Sequence, residues 1–125
     1  KDCIILLYYL KKGRGVVSMP VYNKLVRDRI PEIIRNDGKE CTTKILDDKS
    51  YVEELRKKVY EELEEYETAE SDEEAIEELA DILELLYALA KTHDSSLNEV
   101  EKIRKEKAEK RGGFNDKVFL IEVED

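Results

Sequence analysis

The sequence predicts a mainly all-α fold: a helical bundle with a small accessory two-stranded β ribbon, assembled as an oligomer. Three observations carry that prediction. Residues 50–69 and 72–92 each repeat apolar side chains with the period of a helix. The link between them is so short that the two helices must be antiparallel neighbours. Two segments with strand-like alternation, 40–46 and 117–123, flank the helical region and can pair with each other.

Composition narrows the function. A chain of 125 residues is one domain. A net charge of −9 argues against general nucleic-acid binding, which needs a basic face, and an anionic substrate would need a cation and local basic residues. Cys3 and Cys41, in a chain without a secretory pattern, suggest reduced thiols and a cytoplasmic location. The apolar run at residues 3–10 is too short to span a bilayer, and its basic flank follows it, so neither a membrane span nor a signal peptide is expected. Residues 1–18 read as an extension outside the core, with an added edge strand as the alternative. The domain is expected to occupy residues 19–125.

In chain order, residues 21–38 hold a short helix capped by Asp28, with Pro31 tolerated in the first turn and Asn36 to Gly38 as the stop. Lys24, Arg27 and Arg29 cluster at its start, where exposed N–H groups also favour anions. The alternative is that these bases only pair with the acidic surface. Ser50 and Glu53 form a capping box for the first long helix, and Ser71 and Glu74 form one for the second. Ser96 and Glu99 open a third, highly charged helix to about residue 110, with a thin apolar stripe. His93, the single histidine, reads as a favourable cation at a helix C-terminus. There is no Ser-His-Asp set, CxxC or Walker-type glycine loop.

The acids of residues 61–81 are of two kinds. Val52, Leu55, Val59, Leu63 and Tyr66 make one apolar stripe, and Glu62 projects within roughly 50° of its centre. Glu65 lies on the stripe's edge, whereas Glu61 and Glu64 point away. On the second helix Ile76, Leu79, Ile82, Leu83 and Leu86 belong to a broad apolar face, which Leu85 and Leu89 widen toward the C-terminal half, so that the helix is apolar on two sides. Glu78 and Asp81 continue that widened side. Ionised carboxylates in an apolar seam are costly unless paired or metal-bound. Four converging there call for a cation, and hard oxygen donors favour Mg²⁺ or Mn²⁺. Acid pairs of this spacing also arise by chance among 31 acids and then mark a solvated face. Two pairs on core-facing edges of consecutive helices weigh against that. Two apolar sides also exceed what one short helix and a ribbon can cover, which predicts a homodimer with a four-helix core.

EExxE at Glu61 to Glu65, followed by ExxD at Glu78 to Asp81, resembles the all-α nucleoside triphosphate pyrophosphohydrolase superfamily, which includes MazG-like proteins, dimeric dUTPases and phosphoribosyl-ATP pyrophosphatase. The resemblance implies Mg²⁺ bound by Glu62, Glu65, Glu78 and Asp81. It implies hydrolysis of a nucleoside triphosphate between its α and β phosphates, with Glu61, Glu62 or Glu65 as base. The run NKLVRDRIPEII resembles the opening of a MazG-like subgroup and implies phosphate contact by Lys24, Arg27 or Arg29. A Lys-xxx-Arg on the family's last bundle helix holds phosphates, and Lys107 and Arg111 match its spacing; Gly112-Gly113-Phe114 departs from relatives whose helix continues. Dimers or pairs of dimers are the family's habit. Phosphoribosyl-ATP as substrate, and a catalytically silent helical dimer, are the alternative readings.

Overall fold

A computed structural model describes residues 20–125; the 1–18 extension and its strand alternative lie outside the described residues. Four helices follow in order: α1 (Ile30–Asn36), α2 (Asp48–Glu67), α3 (Asp72–Thr92) and α4 (Leu97–Arg111). Helix α2 packs along α3, and α4 packs on α3.

The helix starts show how local chemistry sets the boundaries. Ser71 Oγ accepts the Glu74 N–H at 3.2 Å, and Ser96 Oγ accepts the Glu99 N–H at 3.3 Å, as the sequence predicts. Glu74 reaches back to the N–H of Glu70, one residue before the cap. Helix α2 differs from expectation. Asp47, not Ser50, is its N-cap, accepting the Ser50 N–H at 2.7 Å. That hydrogen bond, foremost, holds the Asp47 carboxyl below its usual range. An ionised cap facing the helix dipole outcompetes a hydroxyl three residues on. At α1 the cap position falls to Arg29, with no side-chain cap bond, because the Ile30 N–H closes a turn onto the Arg27 carbonyl and delays the helix past Asp28. Pro31 stands in the first turn and Gly38, at φ +80°, ends the helix in a conformation that glycine adopts without strain.

No strand forms among the described residues, which corrects the expected ribbon. Ile45 is 96% exposed and Phe119 87% exposed. Alternation stabilises a two-stranded ribbon only where a packed layer covers its apolar face, and none lies over these segments.

Only Ile30, Ile34, Leu55 and Ala90 are buried apolar residues among those described, and Lys58 and Glu62 are buried with them. The sides that face inward also differ from expectation. On α2 the most buried positions are Leu55, Lys58 and Glu62, while Leu63 and Tyr66 of the apolar stripe are exposed. On α3 the half-buried side carries Glu78, Asp81, Ile82, Leu85 and Leu89, and the exposed one carries Ile76, Leu79, Leu83 and Leu86. Each long helix is rotated so that charged residues enter the seam and part of its leucine surface stays outside.

Candidate functional site

Charges that share a helix face with buried residues are the ones the structure brings together. Glu62, one turn after Lys58 on α2, is 2% exposed. Across the hairpin Glu78 and Asp81 project from α3, three residues apart and on one side. One carboxylate oxygen from each of Glu62, Glu78 and Asp81 lies within 4.8 Å of the others. At that separation two carboxylates repel by about 3.5 kcal/mol at an effective dielectric near 20. The arrangement therefore favours positive charge between them, and three hard oxygen donors suit a small divalent cation. Glu65 is half-buried one turn beyond Glu62 and is not one of these three.

Of the basic residues before α1, Arg27 reaches this cluster and Lys24 the adjoining Glu61. Arg27 Nη2 donates to Asp81 Oδ1 at 2.7 Å, within the charge-assisted range. Lys24 Nζ lies 3.7 Å from Glu61 Oε1, and Lys58 Nζ lies 4.0 Å from Glu61 Oε2, so Glu61 stands between two ammonium groups. Arg29 is different. It pairs with Glu32 of its own helix at 3.2 Å, and its side chain is largely in water. Beside Glu61 opens a cleft of about 200 Å³, lined among others by Tyr22, Asn23, Lys24, Lys57 and Lys58. The cleft adjoins the acidic trio without containing it.

Lys107 and Arg111 are exposed on α4, which packs on α3 alone among the helices. Nothing among the described residues brings them to the trio. Lys58 is the residue that the sequence reading passed over. Its signal was present: positions 55, 58, 62 and 65 share one helical face, so a lysine there had to be buried with Glu62.

Arg27 and the three acids stand together on the hairpin, and Lys58, one turn before Glu62, pairs with the adjoining Glu61. Together they can bind a divalent ion with carboxylates and anionic oxygens with guanidinium and ammonium groups. No helix of the described residues is long and apolar enough to cross a membrane.

Comparison with known families gives a match to the phosphoribosyl-ATP pyrophosphohydrolase model over residues 23–108. That span runs from the basic segment through α4 and includes both acidic motifs. Comparison with curated proteins and with solved structures gives no match. Members of the matched family hydrolyse phosphoric anhydride bonds, and MazG-like enzymes of this superfamily typically depend on a divalent metal. The chain belongs to the phosphoribosyl-ATP pyrophosphohydrolase family of the MazG-like all-α superfamily and is a nucleotide pyrophosphohydrolase.

Proposed function

We propose that the protein is a Mg²⁺-dependent pyrophosphohydrolase that cleaves a nucleoside triphosphate between its α and β phosphates, releasing the monophosphate and pyrophosphate. The observation that carries this is the convergence of Glu62, Glu78 and Asp81 within 4.8 Å across the hairpin. These three acids hold the ion, with Glu65 one turn away as a fourth ligand. When bound, Mg²⁺ (or Mn²⁺) supplies the positive charge that offsets negative charge developing on the phosphates. Glu61, Glu62 and Glu65 are the candidate proton acceptors for the attacking water, and Glu61 faces the cleft. Lys24 and Arg27 bind phosphate oxygens from the segment before α1. Arg29, Lys107 and Arg111 stand further out and complete the anionic site only if substrate or a second copy draws them in.

Phosphoribosyl-ATP is the second substrate reading, and it fits the family match as well as the first does. The scissile bond is of the same kind, so one assay separates them: pyrophosphate release from a panel of standard and non-standard triphosphates together with phosphoribosyl-ATP, with Mg²⁺. Selective turnover of phosphoribosyl-ATP selects that reading, selective turnover of non-standard triphosphates selects a house-cleaning role, and no turnover of any of them refutes both.

The active form is proposed to be a homodimer or a dimer of dimers in the cytoplasm, with residues 19–125 as the catalytic domain. Supporting the oligomer, Leu79 is 49% and Leu83 47% exposed on one side of α3, more apolar surface than an isolated helix pair leaves in water at no cost. Leu83→Asp should lower oligomer mass in light scattering and reduce activity with it. A fully active monomer contradicts the assembly.

A further inference from the structure

We infer that Arg27 competes with the divalent ion for Asp81, and that ion binding turns the Arg27 guanidinium from Asp81 to the substrate's phosphates. The inference rests on the proposed metal site. Arg27 Nη2 donates to Asp81 Oδ1 at 2.7 Å, and Asp81 is also one of the three acids whose oxygens lie within 4.8 Å of one another. The lone pair that Asp81 Oδ1 gives to the guanidinium is not open to an ion at the same time, and the guanidinium's charge beside the trio opposes a second cation there. A planar guanidinium satisfies a carboxylate edge-on, whereas a compact divalent ion can draw on all three acids at once.

Arg27 is well placed to change partner. It belongs to the irregular segment before α1, 54 residues away in sequence from Asp81, so its backbone is not part of either hairpin helix. Its side chain is 47% exposed and that of Asp81 31%, so the pair is partly hydrated and weak enough to be displaced. A guanidinium released beside a newly neutralised acid cluster stands within reach of any phosphate the ion attracts, and its fork matches phosphate oxygens. The same side chain thereby lowers affinity for the ion and raises affinity for the anion. Ordered binding follows, with the ion first and the phosphate second.

Calorimetric titration with Mn²⁺ alone, without nucleotide, tests this. Arg27→Gln should bind Mn²⁺ about 2- to 5-fold more tightly than the unmodified chain, the range expected when a half-exposed ion pair no longer competes. Lys24→Gln removes a nearby positive charge that contacts Glu61 rather than the trio, and should change Mn²⁺ affinity less than about twofold. With Mn²⁺ saturating, Arg27→Gln should bind inorganic pyrophosphate at least about tenfold more weakly. Unchanged or weaker Mn²⁺ binding in Arg27→Gln overturns the competition while leaving the hydrolase reading intact. An equal gain in Lys24→Gln also overturns it, by showing a general field effect. No stoichiometric Mn²⁺ site in the unmodified chain removes both the competition and the metal reading.

Discussion

Helices α2 and α4 are both dense in Glu, Lys and Arg, yet the hairpin that α2 makes with α3 uses charge in a way opposite to α4. In the hairpin, charges meet across long sequence separations: Arg27 holds Asp81, Lys24 holds Glu61, and Lys58 and Glu62 are buried. On α4 the pairing is local and wet. Arg104 pairs with Glu101 three residues away, and no residue of the helix is buried. The lesson is that composition does not distinguish a site from a solvated face; register with the buried positions does.

The largest expected effect should break that contrast if it is wrong. Glu62→Gln is expected to lower kcat/KM by at least about a hundredfold in a Mg²⁺-supported pyrophosphate-release assay, while Glu101→Gln stays within about twofold. Comparable losses in both variants would show that the hairpin's acids hold no privileged place.

A smaller effect is expected from the two helices' lysines. Lys58→Met should cost about 1–2 kcal/mol in urea unfolding, less than a fully buried pair because Glu61 keeps 35% of its side chain exposed. Lys105→Met on α4 should stay within about 0.5 kcal/mol. If Lys58→Met instead stabilises the chain, the buried ammonium is a burden on the fold and its presence belongs to function alone.

The smallest effect sharpens the comparison at the surface. Asp47 and Glu101 both titrate below the ordinary carboxylate range, the first because the Ser50 N–H hydrogen-bonds it and the second because Arg104 does. Since both are depressed in the folded chain, each favours folding above its unfolded pKa, and the gain disappears as pH falls through the folded value. Carboxyl titration by NMR in high salt should move Glu101 back toward its usual range more than Asp47, whose partner is a backbone amide and not a mobile ion. Equal movement would mean that the cap, too, is only long-range electrostatics.

Much of the fold was legible because helices are locally encoded. Ser71 and Ser96 sit at the caps they announce, and three of the four paired acids, Glu62, Glu78 and Asp81, converge across the hairpin while Glu65 stands one turn away. What was illegible depends on partners elsewhere in the chain. Asp47 against Ser50 is a contest between two acceptable caps. The alternation at 117–123 is that of a strand, but a strand needs a covering layer that no local pattern reports. The two apolar sides of α3 are nearly equal in sequence, and only the placement of α2 shows that Leu85 and Leu89 turn inward and Leu83 and Leu86 outward. Arg27 was legible as an anion binder, but its first anion is the protein's own Asp81.

A helix pair that buries Lys58 and Glu62 while Leu79, Leu83 and Leu86 stay in water departs from an ordinary globule. On the dimer reading, folding and meeting a second copy become one event, so the folded fraction rises with the number of chains per volume. Dilution would then act on this protein as a denaturant, with a melting temperature that climbs with protein concentration. A cell that made too few copies would hold unfolded chains for degradation instead of slow enzyme.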